Sequence, residues 1–371
     1  MPNYPTYKLG EICTIVYGKG FPTKNLKQEG FPVYGANGVI GYNDVYLYEE
    51  EQVLVSCRGA YSGKINRSPK KCWVTNNSLV IIPNTDVSKD YLYYALQSAK
   101  KEKLVTGTAQ PQVTINNANE LQIPLPPLPT QRAIVTRIET LFAELDKGVE
   151  KLKTVQQQLK VYRQAVLNDC LTKGSEKWKN VKLGDVAEIV TGNTPSKKDM
   201  SLYGNDYPFF KPTDLNAGIN TIQAEDNVSI KGFNMSRKLP IGSILVTCIG
   251  ATIGKTGLIH REGICNQQIN AVLPNNSFVP KYMYYFVISD FFQRQIKTNA
   301  SATTLPILNK SKFSNLYVFL PSLPEQQRIV QEIETRLSAC DEVEKNIAES
   351  LQQAEALRQS ILKKAFSGEL V

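Results

Sequence analysis

The sequence predicts an α+β protein in which two similar, mostly β modules are joined by two long antiparallel helices forming an intramolecular coiled coil. An internal repeat and a heptad pattern carry that prediction. Pro126-Pro127-Leu128-Pro129-Thr130-Gln131-Arg132-Ala133-Ile134-Val135-Thr136-Arg137-Ile138-Glu139-Thr140 returns as Pro321-Ser322-Leu323-Pro324-Glu325-Gln326-Gln327-Arg328-Ile329-Val330-Gln331-Glu332-Ile333-Glu334-Thr335. Repeats so far apart denote two copies of a module, because solenoid units recur every 20–50 residues or so. The modules read as 1–129 and 176–320, and the helical segments as 130–175 and 321–371.

Within the modules, Lys8-Leu9-Gly10-Glu11-Ile12 is answered by Lys182-Leu183-Gly184-Asp185-Val186, and Ile15-Val16-Tyr17-Gly18 by Ile189-Val190-Thr191-Gly192. Val53-Leu54-Val55-Ser56-Cys57-Arg58-Gly59-Ala60-Tyr61-Ser62-Gly63-Lys64 is answered by Ile244-Leu245-Val246-Thr247-Cys248-Ile249-Gly250-Ala251-Thr252-Ile253-Gly254-Lys255. The second copy is longer, with most of its insertions between Gly192 and Ile244. The apolar and glycine framework matches, while the polar residues between differ. This is one scaffold with two reading surfaces.

Phe31-Pro32-Val33-Tyr34-Gly35-Ala36-Asn37-Gly38-Val39-Ile40-Gly41-Tyr42 reads as two short strands around an Asn-Gly turn. Val53–Ser56, Ser78–Ile82 and Leu121–Leu125 read as strands, as do Ile244–Cys248, Ile269–Leu273 and Leu316–Leu320. A helix is expected over Lys89–Lys101, matched by one over Pro280–Gln295. In the first long helix Ile138, Leu145, Leu152, Leu159 and Val166 recur every seventh position, interleaved by Ile134, Leu141, Val155 and Tyr162. The second supplies Ile329, Ile333, Cys340, Val343, Ile347, Ala354, Leu357 and Ile361. The spacing marks as its seam Ile138, Leu145, Leu152, Leu159 and Val166 against Ile333, Val343, Ile347, Leu357 and Ile361, a pattern that asks for a helical partner. Ser322 and Glu325 have capping-box spacing at its start. Each helix follows its own module, so a pseudo-twofold axis makes the pair antiparallel and puts the modules at opposite ends of a rod. Duplex DNA has dyads of its own, and such a protein suits a split site with unlike halves.

Composition agrees with a soluble, cytoplasmic protein. At 371 residues the chain exceeds the size at which single cores stop growing. Charged residues make up 21% and hydrophobic ones 42%, ordinary for folded proteins. No signal peptide is evident in Met1-Pro2-Asn3-Tyr4-Pro5, and no apolar run suits a membrane span. The seven cysteines contain no C-x-x-C pair, so Cys57 and Cys248 read as buried thiols, and no metal is expected. The net charge of +9 falls entirely in the two modules, since the helical segments cancel. That is the electrostatic footprint of a nucleic-acid binder.

Catalytic readings find little support. Gly250-Ala251-Thr252-Ile253-Gly254-Lys255-Thr256 has one residue too few between its glycines for a phosphate-binding loop. His260, the one histidine, has no counterpart in the first copy and reads as a surface imidazole. Neither an adenine methyltransferase catalytic motif nor a glycine-rich loop for S-adenosylmethionine is present, so no catalytic residue is nominated. A scaffold whose tyrosine-rich loops, with 18 tyrosines in all, bind protein or carbohydrate stays open beside DNA recognition. A salt series on duplex DNA separates the two, because phosphate binding weakens as salt rises.

Several stretches carry a resemblance over nearly the whole chain. They are Gly107-Thr108-Ala109-Gln110-Pro111-Gln112 running on to Leu121 through Gln131, Gly192-Asn193-Thr194-Pro195, Phe209-Phe210-Lys211-Pro212-Thr213-Asp214-Leu215, and Gly250 to Lys255 with Asn266-Gln267-Gln268. In their order, twice over, they resemble the specificity subunits of type I restriction-modification enzymes. Thr130, where the family more often has Glu, is a minor departure. The resemblance implies two target-recognition domains that bind double-stranded DNA with a bipartite, asymmetric site, the helices setting the spacer. It also implies two modification subunits that methylate adenine with S-adenosylmethionine, and two restriction subunits that use ATP and Mg. No cofactor is expected on this chain, nor any membrane.

Contact residues follow from base chemistry. Lys19, Lys24, Arg58, Lys64, Arg67, Lys70 and Lys71 are nominated for one half-site, and Lys197, Lys198, Lys211, Lys255, Arg261 and Lys310 for the other, mostly for phosphates. Tyr34, Asn37, Arg58, Asn76, Asn77, Gln110 and Gln112 are nominated to read bases on the first side. Thr194, Thr213, Asp214, Thr252, Gln267, Gln268 and Thr303 are nominated on the second. Asn37 and Asn193 also suit simple turns, and Gln110 and Gln112 suit backbone hydrogen bonds.

Overall fold

The computed structural model describes residues 4–99, 104–105, 111–301 and 305–371. The chain divides into two compact units, Met1–Lys153 with Ala348–Val371, and Thr154–Ile347. The first unit begins with β1 (Thr6–Lys8) and the single turn α1 (Leu9–Ile12). Strands β2 (Cys13–Tyr17), β3 (Phe31–Tyr34), β4 (Val39–Asn43), β5 (Val53–Ser56), β6 (Ile65–Arg67), β7 (Trp73–Val74) and β8 (Ser78–Pro83) follow. Helices α2 (Lys89–Ser98) and α3 (Ile115–Asn119) and strand β9 (Gln122–Pro124) precede the long helix α4 (Leu128–Thr172). The strands form a four-stranded sheet β2-β8-β5-β6, a three-stranded sheet β4-β3-β7 and the pair β1-β9.

The continuous apolar runs of β5 and β8 follow from burial on both faces, because successive side chains of a strand point to opposite sides. Val53, Val55, Leu79 and Ile81 join the main core with α2 and the long helices. Leu54 and Val80 join Tyr34, Cys72 and Val74 in a second core under the smaller sheet.

The second unit repeats this plan. It comprises β10 (Lys179–Lys182), α5 (Leu183–Val186), β11 (Ile189–Thr191), β12 (Tyr203–Phe210), β13 (Asp226–Val228), the inserted helix α6 (Ile230–Asn234) and β14 (Ile244–Thr247). Then come β15 (Thr256–Leu258), β16 (Ile264–Cys265), β17 (Ile269–Val272), α7 (Pro280–Ile288), α8 (Asp290–Asn299), α9 (Lys310–Ser314), β18 (Tyr317–Leu320) and the long helix α10 (Leu323–Ser367). Its sheets, β11-β17-β14-β15, β13-β12-β16 and β10-β18, match the first unit strand for strand. One helix expected over Pro280–Gln295 is two. Ser289 has extended backbone, and its hydroxyl accepts from the Phe292 N–H at 3.4 Å, which caps α8 and ends α7.

A buried glutamine starts each long helix. Gln131 accepts from the Ser88 N–H at 2.8 Å and donates to the Asp86 and Pro126 carbonyls, each at 2.9 Å. Gln326 accepts from the Val279 N–H at 2.8 Å and donates to the carbonyls of Pro321 at 2.9 Å and Ser277 at 3.4 Å. Tyr91 and Tyr282 add matching hydroxyl bonds to Pro124 and Phe319. Position for position, the same side chains hold helix, entry loop and sheet together. Glu325 turns toward Arg328, 3.5 Å away, instead of serving as the reciprocal arm of the expected capping box.

Both long helices contribute to both units, and in each unit their segments pack antiparallel. In the first, the Arg358 guanidinium lies 4.2 Å from the Phe142 ring and pairs with Asp146. In the second, Arg163 pairs with Asp341 and, at 3.1 Å, with Glu344, while Arg336 reaches Asp169 at 2.6 Å. Asp146–Arg358 and Asp341–Arg163 are the same interaction made by the two copies of the repeat. Ile138, Val166, Ile333, Ile347 and Ile361 are buried, and Leu145, Leu152 and Leu159 are half-buried. Val343 and Leu357 are exposed, a correction to the expected seam. Each lies one residue off the packed face, where Glu344 and Arg358 stand instead.

Replacing Gln131 with Ala leaves one N–H and two carbonyls without their side-chain partner at a fully buried site. We expect Gln131→Ala to cost roughly 2–4 kcal/mol. The exposed-helix control Gln156→Ala should stay within about 0.5 kcal/mol. Urea denaturation followed by circular dichroism checks both, and equal midpoints for the two variants would count against the clamp.

Candidate nucleic-acid interface

In each unit, loops at one end of the four-stranded sheet are tied into a single surface by backbone hydrogen bonds. In the first unit, the Gly18 N–H donates to Ser78 O at 3.0 Å and the Lys19 N–H to Val74 O at 2.9 Å. The Cys57 N–H donates to Asn77 O at 2.9 Å, and the Val113 N–H to Cys57 O at 3.0 Å. The second unit repeats the set. Gly192 donates to Ile269, Asn193 to Cys265, Cys248 to Gln268 and Leu308 to Cys248, at 3.0, 2.9, 2.7 and 2.8 Å. Close approach dictates the repeated glycine, because a Cβ on Gly18 or Gly192 would stand 2.2 Å from the carbonyl oxygen of Thr75 or Asn266.

The Gly-x-x-x-Gly-Lys stretches are tight turns between antiparallel strands, β5 to β6 and β14 to β15, with no helix to receive a phosphate. Gly63 at φ 81° and Gly254 at φ 88° adopt the left-handed conformation the turn requires, and each donates back to the preceding strand.

Several nominated side chains meet on this surface. In the first unit, Lys19, Arg58, Asn37 and Gln112 are exposed, and Asn76 and Asn77 are half-buried. The Lys19 ammonium lies 5.8 Å from the Trp73 ring, and Trp73 Nε1 donates to Lys19 O at 2.8 Å. Arg58 and Gln112 share a β-bridge, and Lys64 lies 5.9 Å from the Tyr61 ring. In the second unit, the Thr194 hydroxyl donates to Gln267 at 2.5 Å, and Asn266 donates to Gln268 at 2.9 Å. Thr213 and Thr252 are exposed nearby, and the Lys255 ammonium donates to Asn216 at 2.8 Å. Lys197 and Lys198 are exposed just after Pro195, and Lys310 opens α9.

Other nominated residues have different employment. Tyr34 is 7% exposed and fills the core position that Phe210 takes in the second unit, with burial pushing its hydroxyl pKa up. Arg67 ends β6 opposite Val53, at the other end of the sheet, paired with Glu51 at 3.2 Å and Asp90 at 2.8 Å and 4.2 Å from the Tyr93 ring. Lys70 and Lys71 pair with Glu50 and Glu49, and Lys24 sits on a surface turn, Thr23–Asn25. Lys211 pairs with Asp226, and the Asp214 carboxylate accepts from the Lys211 and Glu225 N–H groups, stapling its loop. Arg261 donates to Asp206 O at 2.6 Å, away from the surface. Gln110 and Thr303 lie outside the described residues.

Arg237 was missed by the sequence reading. Its guanidinium donates to Thr191 O at 2.5 Å and its N–H to Asn193 Oδ1 at 3.0 Å. With Lys238 and Lys310 it lines a depression of about 590 Å³ beside the surface. The signal was a basic pair inside the insertion of the second copy, which has no counterpart to align.

Burial pushes the Cys248 thiol up to about 12 and shifts Cys57 in the same direction, so neither forms a thiolate readily. The His260 ring bonds Ile219 O at 2.7 Å on the surface. Asp169, Cys170 and Glu332 lie close enough to share a cation, and Arg336 supplies that charge from within the chain.

Two matching modules, each closed by a long helix and carrying a polar, basic loop surface, define a duplicated two-module protein. The family model described as type I restriction modification DNA specificity domain matches residues 1–157 and 175–353, and the chain belongs to that family. It is 26% identical to the Type I restriction enzyme EcoBI specificity subunit of Escherichia coli, over 98% of this chain and 85% of that protein. It is 23% identical to the Type I restriction enzyme EcoDI specificity subunit of Escherichia coli, over 99% and 89%. Among solved structures, a chain from a study of complex assembly and conformational transition of the type I R-M system superposes with a TM-score of 0.74 at 21% identity, covering 100% of this chain and 99% of that one. The HsdS subunit from Thermoanaerobacter tengcongensis gives 0.56 at 21% identity, covering 100% and 98%.

Arg58 and Arg67 should separate recognition from stability. If Arg58 reads a guanine, Arg58→Ala costs about 1–3 kcal/mol of DNA binding and relaxes one base pair of the recognised motif. Its fold should be untouched, whereas Arg67→Ala should lower the unfolding midpoint and leave the recognised motif unchanged. Methylome sequencing of cells carrying each complex, with thermal denaturation alongside, checks both. An unchanged motif and affinity for Arg58→Ala would reject its role.

Proposed function

We propose that this chain reads a bipartite, asymmetric site in double-stranded DNA, with one half-site for each unit. The loop surface built twice on one hydrogen-bonded scaffold, with unlike side chains, is the observation that carries the reading. Lys19, Arg58, Asn76, Asn77 and Gln112 on one copy answer to Asn193, Ile249, Gln267, Gln268 and Ile307 on the other. Equal backbones present different donors and acceptors, so the two half-sites differ in sequence. The positive charge of the modules supplies phosphate attraction.

The chain acts on DNA through partners. Two modification subunits use S-adenosylmethionine to methylate adenine, and two restriction subunits use ATP and Mg to translocate and cut. Both kinds dock on the chain, whose long helices set the distance between half-sites. The protein- or carbohydrate-binding alternative has no comparable support in the family to which the chain belongs.

Lengthening both helices tests the spacer role. Seven residues add a rise of about 10.5 Å, and duplex DNA advances about 3.4 Å per base pair. Seven-residue insertions after Leu152 and after Ile347 should therefore widen the spacer by roughly three base pairs. The spacing in sites methylated by the lengthened complex is the readout. An active variant that keeps the original spacer would show that the helices do not set the distance. In the same assays, affinity for duplex DNA should fall with salt at a slope near −0.9 per neutralised phosphate. A salt-insensitive complex would favour the alternative.

A further inference from the structure

The hairpin formed by β3 and β4 in the first unit carries apolar side chains where a soluble surface has little use for them. Val39 and Ile40, which directly follow the Asn37-Gly38 turn, are each 47% exposed. The register shifts here, with Tyr34 opposite Val39 and Val33 opposite Gly41, so Ile40 is the extra residue of a bulge and both side chains stand exposed at the tip. β4 pairs with β3, and Lys27 bridges its other side at Tyr42, beyond the tip residues.

The tip is anchored to the candidate interface. The Gly35 N–H donates to Gly38 O at 2.8 Å, closing the turn. The Ser78 hydroxyl donates to Gly35 O at 3.0 Å, and the Ser56 hydroxyl donates to Ala36 O. Ser56 and Ser78 adjoin Cys57 and Asn77, which hold the Arg58 and Asn76 loops. Ile40 is fixed over Gly35, since a Cβ there would lie 2.8 Å from its γ2 methyl. In the second unit the matching strand begins at Asp226, which faces Phe209 as Gly41 faces Val33, and the segment before it is held by the Glu225 N–H donating to the Asp214 carboxylate at 3.0 Å.

We propose that this hairpin enters the major groove of the first half-site as a two-stranded ribbon, with Val39 and Ile40 reading thymine through its 5-methyl group. The inference rests on the DNA-reading function proposed above. The major groove is about 12 Å wide and admits a two-stranded β-ribbon, and the thymine methyl is the apolar feature of its floor. Branched aliphatic side chains on a rigid tip suit that contact, and Lys19 and Arg58 on the same surface supply charge for the adjoining phosphates. A protein partner could also cover an apolar edge, but one docking there would meet this basic surface too.

The test uses duplexes carrying the motif found by methylome sequencing, with each thymine replaced in turn by deoxyuridine, which lacks only the methyl group. Binding of the assembled methyltransferase complex is measured on every duplex. At one or two thymines in the half-site relaxed by Arg58→Ala, deoxyuridine should weaken wild-type binding roughly three- to fivefold. Val39→Ala or Ile40→Ala should bind thymine and deoxyuridine duplexes equally at those positions. Val39→Thr, which keeps the branched shape, should retain part of the discrimination, and both positions are exposed enough for the variants to fold. Equal wild-type binding to every duplex, with motif specificity intact, would overturn the inference while leaving the DNA-reading function standing. So would a Val39→Asp variant that assembles poorly while its assembled fraction keeps the discrimination, which would assign the tip to a protein partner. A complex with no motif-specific binding would instead overturn the proposed function itself.

Discussion

The structure depends first on the hydrogen bonds of two buried glutamines, Gln131 and Gln326. Each side chain satisfies an N–H and a carbonyl in the loop that enters the module's helix, and one carbonyl of the proline-rich turn. Buried backbone groups without partners are costly, so the glutamine fixes where the long helix leaves the sheet. Prolines on either side limit the backbone conformations of the turn. Helix direction is thus set locally, before any contact between helices. The pairs Asp146–Arg358 and Arg163–Asp341 then fix the register of the antiparallel segments within each unit.

The same economy explains how one scaffold carries two surfaces. Its shape comes mainly from main-chain bonds among the loop bases and from glycines that admit a neighbouring carbonyl, so outward side chains such as Arg58 and Ile249 can differ between the copies. Arg58 and Ile249 occupy equivalent backbone positions, each joined by an isolated bridge to the segment that leads into α3 or α9, at Gln112 and Ile307. Exchange of one for the other leaves the ladder intact. Residues that do bear structural duty, such as Arg67 between Glu51 and Asp90, lie at the other end of the sheet.

Much of this was legible in the sequence because repetition doubles each signal. Strands with apolar runs, the Asn-Gly hairpin, the Pro-rich helix starts and the long helices stand where the patterns put them. What failed did so for identifiable reasons. A heptad count cannot see that Glu344 and Arg358 take the packed positions beside Val343 and Leu357, because their charges are satisfied only by Arg163 and Asp146 on the facing helix. The break at Ser289 was hidden because apolar residues continue through it, and only its capping hydroxyl divides the helix. Among candidate contacts, residue chemistry alone could not separate Arg58, exposed at the loop surface, from Arg67, held by two carboxylates. Tyr34, nominated to read a base, is core, since its place in the fold is that of Phe210. Arg237 lay in an insertion with nothing to align against.

The central claim is that two equivalent loop surfaces hold two separate stretches of one duplex. Hydroxyl-radical footprinting of the assembled complex on its own methylation site tests this most directly. Two protected blocks, separated by a spacer and differing in sequence, are the predicted result. A single continuous block, or protection that covers one half of the methylated motif and leaves the other open, would contradict it.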